Sequence, residues 1–234
     1  MGLNYSNIKV IGFDADDTLW VNETYFREAE VRFAELFKSY ETPNKIDQQL
    51  FKKELENLPV YGYGVKGFML SMIEMGLELT NCTLEPKLIE EIITIGKDMI
   101  NKPVILLPGI ERVLQELSST YRLILITKGD LLDQERKLEK SGLSKYFHHI
   151  EVLSEKQPEN YTKLLDHLDI KTESFLMVGN SLKSDILPLL EIGASAIHIP
   201  FHTTWEHEKV KDQDLKDCNY KTFGCADEIL NYLI

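Results

Sequence analysis

Two aspartates separated by a single residue follow a short apolar run near the start of the chain. The run covers residues 8–13, and the acidic segment after it reads Asp14-Ala15-Asp16-Asp17-Thr18. Because alternate side chains of an extended chain begin on one face, the carboxylates of Asp14 and Asp16 are expected to lie close together. Two close carboxylates repel each other unless a cation or a shared proton separates them. Beside a divalent cation, one aspartate can attack phosphorus while its neighbour acts as acid and base; a solvated acidic turn is the alternative for this motif taken alone.

Three later apolar runs follow, and two of them end at polar residues. The runs cover residues 123–126, 150–153 and 175–178; Thr127 and Lys128 follow the first, and Gly179, Asn180 and Ser181 follow the last. Short apolar runs of this kind predict buried strands of a parallel sheet, and residues 194–199 predict a fifth strand. Ligands of such sheets bind beyond the carboxyl ends of the strands. The polar residues at these ends are therefore candidates for one common site.

Helical patterns lie between the predicted strands, over residues 109–118, 133–141, 160–168 and 185–192. This alternation predicts an α/β fold with a Rossmann-like parallel sheet core flanked by helices. The segment after the first strand breaks the alternation, because it carries helical patterns over residues 25–37, 45–56, 68–75 and 85–99. A connection of that length is far longer than an ordinary loop. We therefore predict a core domain of residues 1–20 and 106–234 with an inserted all-helical cap domain of residues 21–105, whose closure would exclude water.

The ordered motifs resemble those of the haloacid dehalogenase superfamily, and the resemblance covers the whole chain. The matching segments are Asp14-Ala15-Asp16-Asp17-Thr18, Ile126-Thr127-Lys128, Lys156 and residues 178–185, which end at Asp185. Lys137 is a rival for the lysine of the third motif, but only Lys156 follows the third predicted strand and precedes a proline by two residues. The resemblance implies a magnesium-dependent phosphatase that forms an aspartyl phosphate.

The resemblance also implies a role for each matching residue. Asp14 is expected to be the nucleophile, and Asp16 is expected to protonate the leaving oxygen and then to activate water. The residues expected to bind the substrate phosphate are Thr127, Lys128 and Lys156. Those expected to bind Mg²⁺ are Asp14 and Asp185, through their carboxylates, and Asp16, through its backbone carbonyl. An all-oxygen ligand set of this kind suits magnesium better than zinc.

One position departs from the family pattern, and three other functions stay open. The fourth motif usually begins with Gly-Asp, whereas this chain has Gly179-Asn180, so we expect weaker magnesium binding without loss of activity. A phosphomutase shares every motif and differs mainly in excluding water. A 2-haloacid dehalogenase has no acid at the position of Asp16, although a neutral residue such as Asn180 occurs in that branch. A non-catalytic binding protein would be expected to lack Asp14 or Asp16.

A glycine-containing segment in the predicted cap adds one candidate for substrate binding. Residues 62–67 form a literal G-x-G-x-x-G pattern, but a helical pattern precedes it where a dinucleotide site requires a strand. The segment is therefore predicted to connect two helices. Because cap loops in the superfamily can face the active site, Lys66 is a candidate to bind an anionic group of the substrate.

Charge and composition restrict the class of partner. The chain has 38 acidic against 26 basic residues and a net charge of −12, which disfavours binding to nucleic acid or to an anionic membrane. No apolar segment is long enough to span a bilayer, and three cysteines without a C-x-x-C pair suit a reduced, cytoplasmic protein. The predicted partner is a small phosphorylated molecule, and the sequence does not indicate an oligomeric state.

A second unusual segment, residues 198–208, contains three histidines and two glutamates. Its spacing matches no H-E-x-x-H zinc site, and a zinc ligand set would conflict with the magnesium chemistry expected of the motifs. It is therefore predicted to be a structural loop after the last strand.

Overall fold

The computed structural model describes residues 5–216 and 218–234, and the chain divides into two compact units. We call them the sheet unit, which comprises the residues up to Glu23, Val104–Lys128 and Arg136–Ile234, and the helical unit, which comprises Thr24–Pro103 and Gly129–Glu135. The first four residues of the predicted core domain lie outside the described residues. The assignment of residues 21–105 as a cap stays a prediction.

Four long helices account for most of the helical unit. They are α1 (Glu23–Leu36), α2 (Pro43–Tyr61), α3 (Val65–Leu79) and α4 (Pro86–Asn101). Phe33, Phe37, Ile46, Met72 and Ile92 are fully buried where these helices pack together. Helices α2 and α4 begin at prolines, which fit the first turn because they need no amide partner there.

Helix α2 is longer than its apolar pattern predicts. The pattern ends near residue 56, but the helix continues through Pro59 to Tyr61. Its last turns are held by polar contacts to α3, because the Asn57 amide nitrogen and the Tyr61 hydroxyl donate to Glu74 over 3.0 and 2.5 Å. Hydrogen bonds of this kind leave no hydrophobic periodicity for a sequence pattern to detect.

Within the described chain, the sheet unit contains six parallel strands in the order β3-β2-β1-β4-β5-β6. They are β1 (Val10–Phe13), β2 (Arg122–Lys128), β3 (His149–Leu153), β4 (Phe175–Gly179), β5 (Ser195–His198) and β6 (Lys221–Thr222). The predicted α/β fold with a Rossmann-like sheet is confirmed. The sixth strand was not predicted, because a strand of two residues is too short to show an alternating hydrophobic pattern.

Successive residues of the central strands face opposite sides of the sheet, and helices cover both sides. The remaining α-helices among the described residues are α5 (Ile110–Ser118), α6 (Leu131–Ser141), α7 (Pro158–His167), α8 (Leu187–Glu191) and α9 (Leu230–Leu233). Phe13 packs in one core with residues of α5, whereas Val10 packs in the other core with residues of α7 and α8. The central strands are therefore buried on both faces, as the apolar runs predicted. No helix in the part of the chain described here is both long and apolar enough to cross a membrane.

Candidate active site

Asp14 follows the last residue of β1 at the point where the strand order reverses. Phe13 pairs with Leu125 of β2 on one side and with Val178 of β4 on the other. The Asp14 amide continues the ladder, because it donates to the Val178 carbonyl over 2.9 Å. The carboxyl ends of β2 and β4 therefore flank Asp14 in the crevice where doubly wound sheets bind their ligands.

A single lysine bridges the carboxylates of Asp14 and Asp185, two of the three aspartates assigned to the site from the sequence. The Lys156 Nζ atom donates to Oδ1 of Asp14 over 2.5 Å and to Oδ1 of Asp185 over 2.6 Å. All three side chains are buried, with 2% of Lys156, 7% of Asp14 and 1% of Asp185 exposed. The structure thus joins residues 14, 156 and 185, which are distant in the chain, in one charged cluster.

The turn after β4 is shaped to hold Asp185. The Ser181 amide donates to Oδ2 of Asp185 over 3.0 Å, and the Asp185 amide donates to the Ser181 carbonyl over 2.8 Å. A Cβ atom at Gly179 would lie 2.3 Å from the same Oδ2 atom. Only glycine therefore allows the Asp185 carboxylate to fold back against the end of β4.

Thr18 connects the nucleophile candidate to Asn180. Its hydroxyl donates towards Oδ2 of Asp14 over 3.0 Å and towards the side-chain oxygen of Asn180 over 3.2 Å, while it accepts from the Asn180 amide over 3.0 Å. The residue that departs from the family pattern is therefore linked to Asp14 through the Thr18 hydroxyl. Because its side chain is neutral, Asn180 adds an oxygen to the site without adding a third carboxylate.

Asp16 faces two donors. Its Oδ1 atom accepts from the Trp20 indole nitrogen over 2.7 Å and from the Lys137 Nζ atom over 2.6 Å. Lys137 also donates to the side-chain oxygen of Asn22 over 3.2 Å. Lys156 and Lys137, the two lysines considered for the third motif, thus contact different aspartates. Lys156 contacts the pair Asp14 and Asp185, and Lys137 contacts Asp16.

Asp17 supports the backbone that carries the two candidate catalytic aspartates. Its carboxylate accepts from the amides of Asn22 and Glu23 over 2.8 to 3.1 Å, and its own amide donates to the Trp20 carbonyl over 2.8 Å. The residue is buried and adopts a left-handed conformation with a φ of 60°. Burial raises the pKa of Asp17 to about 7 although both amides oppose the rise.

Two substitutions of Asp17 distinguish the contribution of its hydrogen bonds to stability from the contribution of its charge. The folded protein holds the proton of Asp17 more tightly than the unfolded chain, so the contribution of Asp17 to stability should be lost as the pH rises from about 4 towards 7. Asp17→Asn keeps an acceptor without the charge, so its unfolding free energy relative to wild type should increase over that pH range. Asp17→Ala should cost about 1–2 kcal/mol relative to Asp17→Asn, because two amides lose their acceptor. Urea unfolding at pH 4.5 and 7.5 measures both differences; a difference between Asp17→Asn and wild type that does not change with pH would contradict the prediction.

Thr127 and Lys128, the last two residues of β2, have different hydrogen-bond partners. Thr127 is 1% exposed, and its hydroxyl donates to the Lys128 carbonyl over 3.2 Å. The Lys128 Nζ atom donates to Oε1 of Glu208 over 2.7 Å and to the Ser184 hydroxyl over 2.9 Å. The predicted contacts of both residues with a phosphate stay predictions.

Lys66 belongs to the helical unit. It lies in the first turn of α3, and its Nζ atom contacts both carboxylate oxygens of Asp130 over 2.9 Å. Helix α2 precedes Gly62, so the glycine pattern connects two helices. The contact of Lys66 with a substrate stays a prediction.

The charges of the bridged cluster are unequal. Burial raises the pKa of Asp14 above its usual range; Lys156 opposes this rise, whereas the nearby Asp185 adds to it. Burial alone would lower the pKa of Lys156, but Asp14 and Asp185 raise it well above its usual value, so the ammonium persists. One ammonium thus faces two buried carboxylates, an arrangement that a further cation would stabilise.

The oxygen atoms of this cluster fit a hard divalent cation. The carboxylates of Asp14 and Asp185 lie together here, and the resemblance adds the backbone carbonyl of Asp16 as an expected ligand; oxygen ligands are those that Mg²⁺ prefers. Among residues 5–216 and 218–234, no three side chains of histidine, cysteine, aspartate or glutamate are grouped closely enough to hold a metal. A magnesium site here would therefore need the backbone carbonyl and water besides the two carboxylates.

Comparison with known proteins identifies the family. A model of haloacid dehalogenase-like hydrolases matches residues 8–193, a range that includes Asp14, Lys156 and Asp185. The chain belongs to this hydrolase family. The crystal structure of a haloacid dehalogenase-like family hydrolase from Xanthomonas campestris is 36% identical and superposes with a TM-score of 0.85. The match covers all of this hydrolase and 94% of that chain.

Two curated relatives are similar over most of their length. N-acylneuraminate-9-phosphatase of Mus musculus is 27% identical over 207 residues, which cover 84% of this hydrolase and 83% of that protein. Glyceraldehyde 3-phosphate phosphatase of Methanopyrus kandleri is 25% identical over 221 residues, which cover 90% and 91% of the two chains. Both relatives are named as phosphatases.

Thr18, Lys137 and Glu208 are among the residues near the candidate site that were assigned no role from the sequence. Thr18 is the threonine of the first motif, so its position in D-x-D-x-T was the available signal. Lys137 was considered only as an alternative to Lys156, and its contact with Asp16 depends on the orientation of α6. Glu208 lies in a segment predicted to be structural, and no local pattern links it to Lys128, which is 80 residues away.

Proposed function

We propose that this hydrolase is a magnesium-dependent phosphatase that releases phosphate from a small phosphorylated molecule through an aspartyl phosphate on Asp14. The observation that carries the proposal is the buried bridge from Lys156 to Asp14 and Asp185 at the carboxyl end of β1. A carboxylate nucleophile beside a fixed cation is what in-line attack on a phosphate monoester requires. The names of the two curated relatives favour a phosphatase over the other functions that the motifs left open.

The residues of this chain divide the reaction into two steps. In the first, an oxygen of Asp14 bonds to phosphorus, the bond from phosphorus to the leaving oxygen breaks, and Asp16 gives its proton to that oxygen. In the second, Asp16 takes a proton from water, the water oxygen bonds to phosphorus, and the bond from Asp14 to phosphorus breaks. Thr127 and Lys156 hold the phosphoryl oxygens throughout. Lys137 and Trp20, which both donate to Asp16, orient its carboxylate for these transfers.

Magnesium would be held by the carboxylates of Asp14 and Asp185 and by the backbone carbonyl of Asp16. When bound, it supplies positive charge against the phosphoryl oxygens and against the two buried carboxylates. Asn180 would hydrogen-bond to water in this site through its side-chain oxygen. We also propose a cytoplasmic location for the protein, in keeping with its three free cysteines.

Hydrolysis of a generic aryl phosphate tests the proposal. We expect the wild-type protein to release phosphate with added magnesium and to stop when a chelator removes the metal. Beryllium fluoride with magnesium should then inhibit the enzyme, because it mimics a phosphoryl group on an aspartate. Turnover that persists in the chelator would contradict the magnesium requirement. A protein that neither hydrolyses the ester nor binds beryllium fluoride would contradict the phosphatase.

Related measurements distinguish the other two enzymatic functions. A phosphomutase should bind beryllium fluoride and transfer the phosphoryl group to an added sugar phosphate while releasing little phosphate to water. A 2-haloacid dehalogenase should release halide from a 2-haloacid without metal. Either result in place of phosphate release would replace the proposed function.

A further inference from the structure

A largely buried carboxylate outside the proposed chemistry contacts the ends of β2 and β4, through Lys128 and Ser181. Glu208 is the last residue of the 3-10 helix Glu206–Glu208, in the segment that follows β5. Its Oε1 atom accepts from Lys128 Nζ over 2.7 Å, and its Oε2 atom accepts from the Ser184 hydroxyl over 2.6 Å and from the Ser181 hydroxyl. We call these four residues, Lys128, Ser181, Ser184 and Glu208, the Glu208 cluster.

The Glu208 cluster is stabilised as an ionised group. The side chains of Lys128 and Glu208 are 14% and 12% exposed, so the ion pair is largely shielded from water. Burial alone would raise the pKa of Glu208, but Lys128 and the two serine hydroxyls outweigh it and hold the value at about 2. Hydrogen bonds to an ionised and largely buried acceptor are among the strongest that side chains make. Glu208 therefore holds its partners in fixed positions near neutral pH.

Two of those partners form the turn that positions Asp185. The Ser184 amide donates to the Ser181 hydroxyl oxygen over 3.0 Å, and the Ser181 amide donates to Oδ2 of Asp185 over 3.0 Å. Glu208 thus contacts the outer side of this turn, and the Asp185 carboxylate accepts from its inner side. A displacement of Ser181 would change both the amide that orients Asp185 and the carbonyl that receives its own amide.

A second contact joins the same 3-10 helix to the same turn. The Lys183 Nζ atom donates to the His207 carbonyl over 2.8 Å and lies 3.1 Å from the Nε2 atom of His207. Successive residues of the helix, His207 and Glu208, therefore contact the turn at Lys183 and at the two serines. Two adjacent attachments fix the orientation of the turn as well as its distance from the helix.

We infer that Glu208 is a positioning residue that orients Asp185 for the binding of a divalent cation. The inference rests on the proposed function and extends it, because Glu208 is neither a proposed ligand nor a proposed catalytic group. Under this inference, the role of Lys128 is to pair with Glu208 inside the protein. Residues that orient metal ligands through hydrogen bonds commonly change metal affinity when they are replaced.

Calorimetric titration of the metal-free protein with magnesium chloride tests the inference. Glu208→Gln should bind magnesium about tenfold more weakly than wild type, as expected for a group that orients a ligand. Ser181→Ala, which removes one partner of Glu208 and leaves the ion pair between Lys128 and Glu208 in place, should weaken binding in the same direction. Glu206→Gln is the matched control, because Glu206 lies in the same 3-10 helix but pairs with Lys209 at the surface over 2.5 Å. This control should bind magnesium like wild type.

Thermal unfolding in the presence of a chelator measures how far each substitution destabilises the protein, independently of its effect on magnesium affinity. Unchanged magnesium affinity in Glu208→Gln and Ser181→Ala would overturn the inference, even if their melting temperatures fall. Normal binding and turnover by wild type in that case would leave the proposed function intact. A wild-type protein that binds no magnesium would overturn both. If Glu208→Gln does not fold, the affinity of Ser181→Ala decides the question.

Discussion

Replacing Asp14 by asparagine should lower the rate of phosphate release from an aryl phosphate by a factor on the order of 10⁴ or more, because the nucleophile is lost. Asparagine has nearly the same shape, and its amide oxygen can still accept from Lys156 or Thr18, which both contact Asp14. The fold should therefore persist while the step that forms the aspartyl phosphate stops. Initial rates under saturating magnesium measure the effect.

The control is Asp166→Asn, an exposed aspartate on α7 in the sheet unit. It should retain the wild-type rate, which shows that a neutralised carboxylate elsewhere in the same unit has no effect. Circular dichroism should show the same helix content in both variants. A rate for Asp14→Asn within tenfold of wild type would exclude Asp14 as the nucleophile.

Replacing Lys156 by methionine should lower the free energy of unfolding by about 3–5 kcal/mol, because it removes one partner of a buried ion pair. The change leaves Asp14 and Asp185 buried together without the ammonium that contacts both. Burial already raises the pKa of Asp14, and the rise should be larger without Lys156. A buried acid whose pKa is raised on folding destabilises the folded protein as the pH rises. The loss of stability caused by Lys156→Met should therefore be greater at pH 8 than at pH 5.

Urea unfolding in chelator measures this loss, with Lys163→Met as the control because Lys163 is exposed on α7. Asp185→Asn added to Lys156→Met should restore part of the stability, because it removes one of the two unpaired charges. A loss below about 1 kcal/mol, the value of a surface pair, would contradict the importance of the bridge.

The sequence predicted the parts of the site that depend on local pattern. Apolar runs that end at polar residues specify strand ends, and strand ends in a parallel sheet meet at one edge. This reasoning placed Asp14 at that edge, and the family resemblance added Lys156 and Asp185; the structure places Lys156 in direct contact with both aspartates. The first motif also included Thr18, although its contact with Asn180 requires the packing of two loops.

Contacts that depend on tertiary packing were not predictable in the same way. Glu208 reaches Lys128 from a 3-10 helix of three residues, which has no periodicity and no motif. The contact between Lys137 and Asp16 depends on the rotation of α6 about its axis, which the sequence constrains only weakly. Likewise, β6 consists of two residues whose pairing is set by β5. Tertiary packing decides each of these features.

Gly179 and Asp185 constrain each other over evolutionary time. A Cβ atom at position 179 would lie 2.3 Å from Oδ2 of Asp185, so a side chain cannot be gained there while the aspartate keeps its place. In a descendant lineage, residue 185 would have to change first, and that change would leave the ammonium of Lys156 with one carboxylate. The order of the two substitutions is therefore fixed, and the path between them crosses a variant that has lost part of its charged cluster. This barrier is expected to keep glycine at position 179 wherever Asp185 is retained.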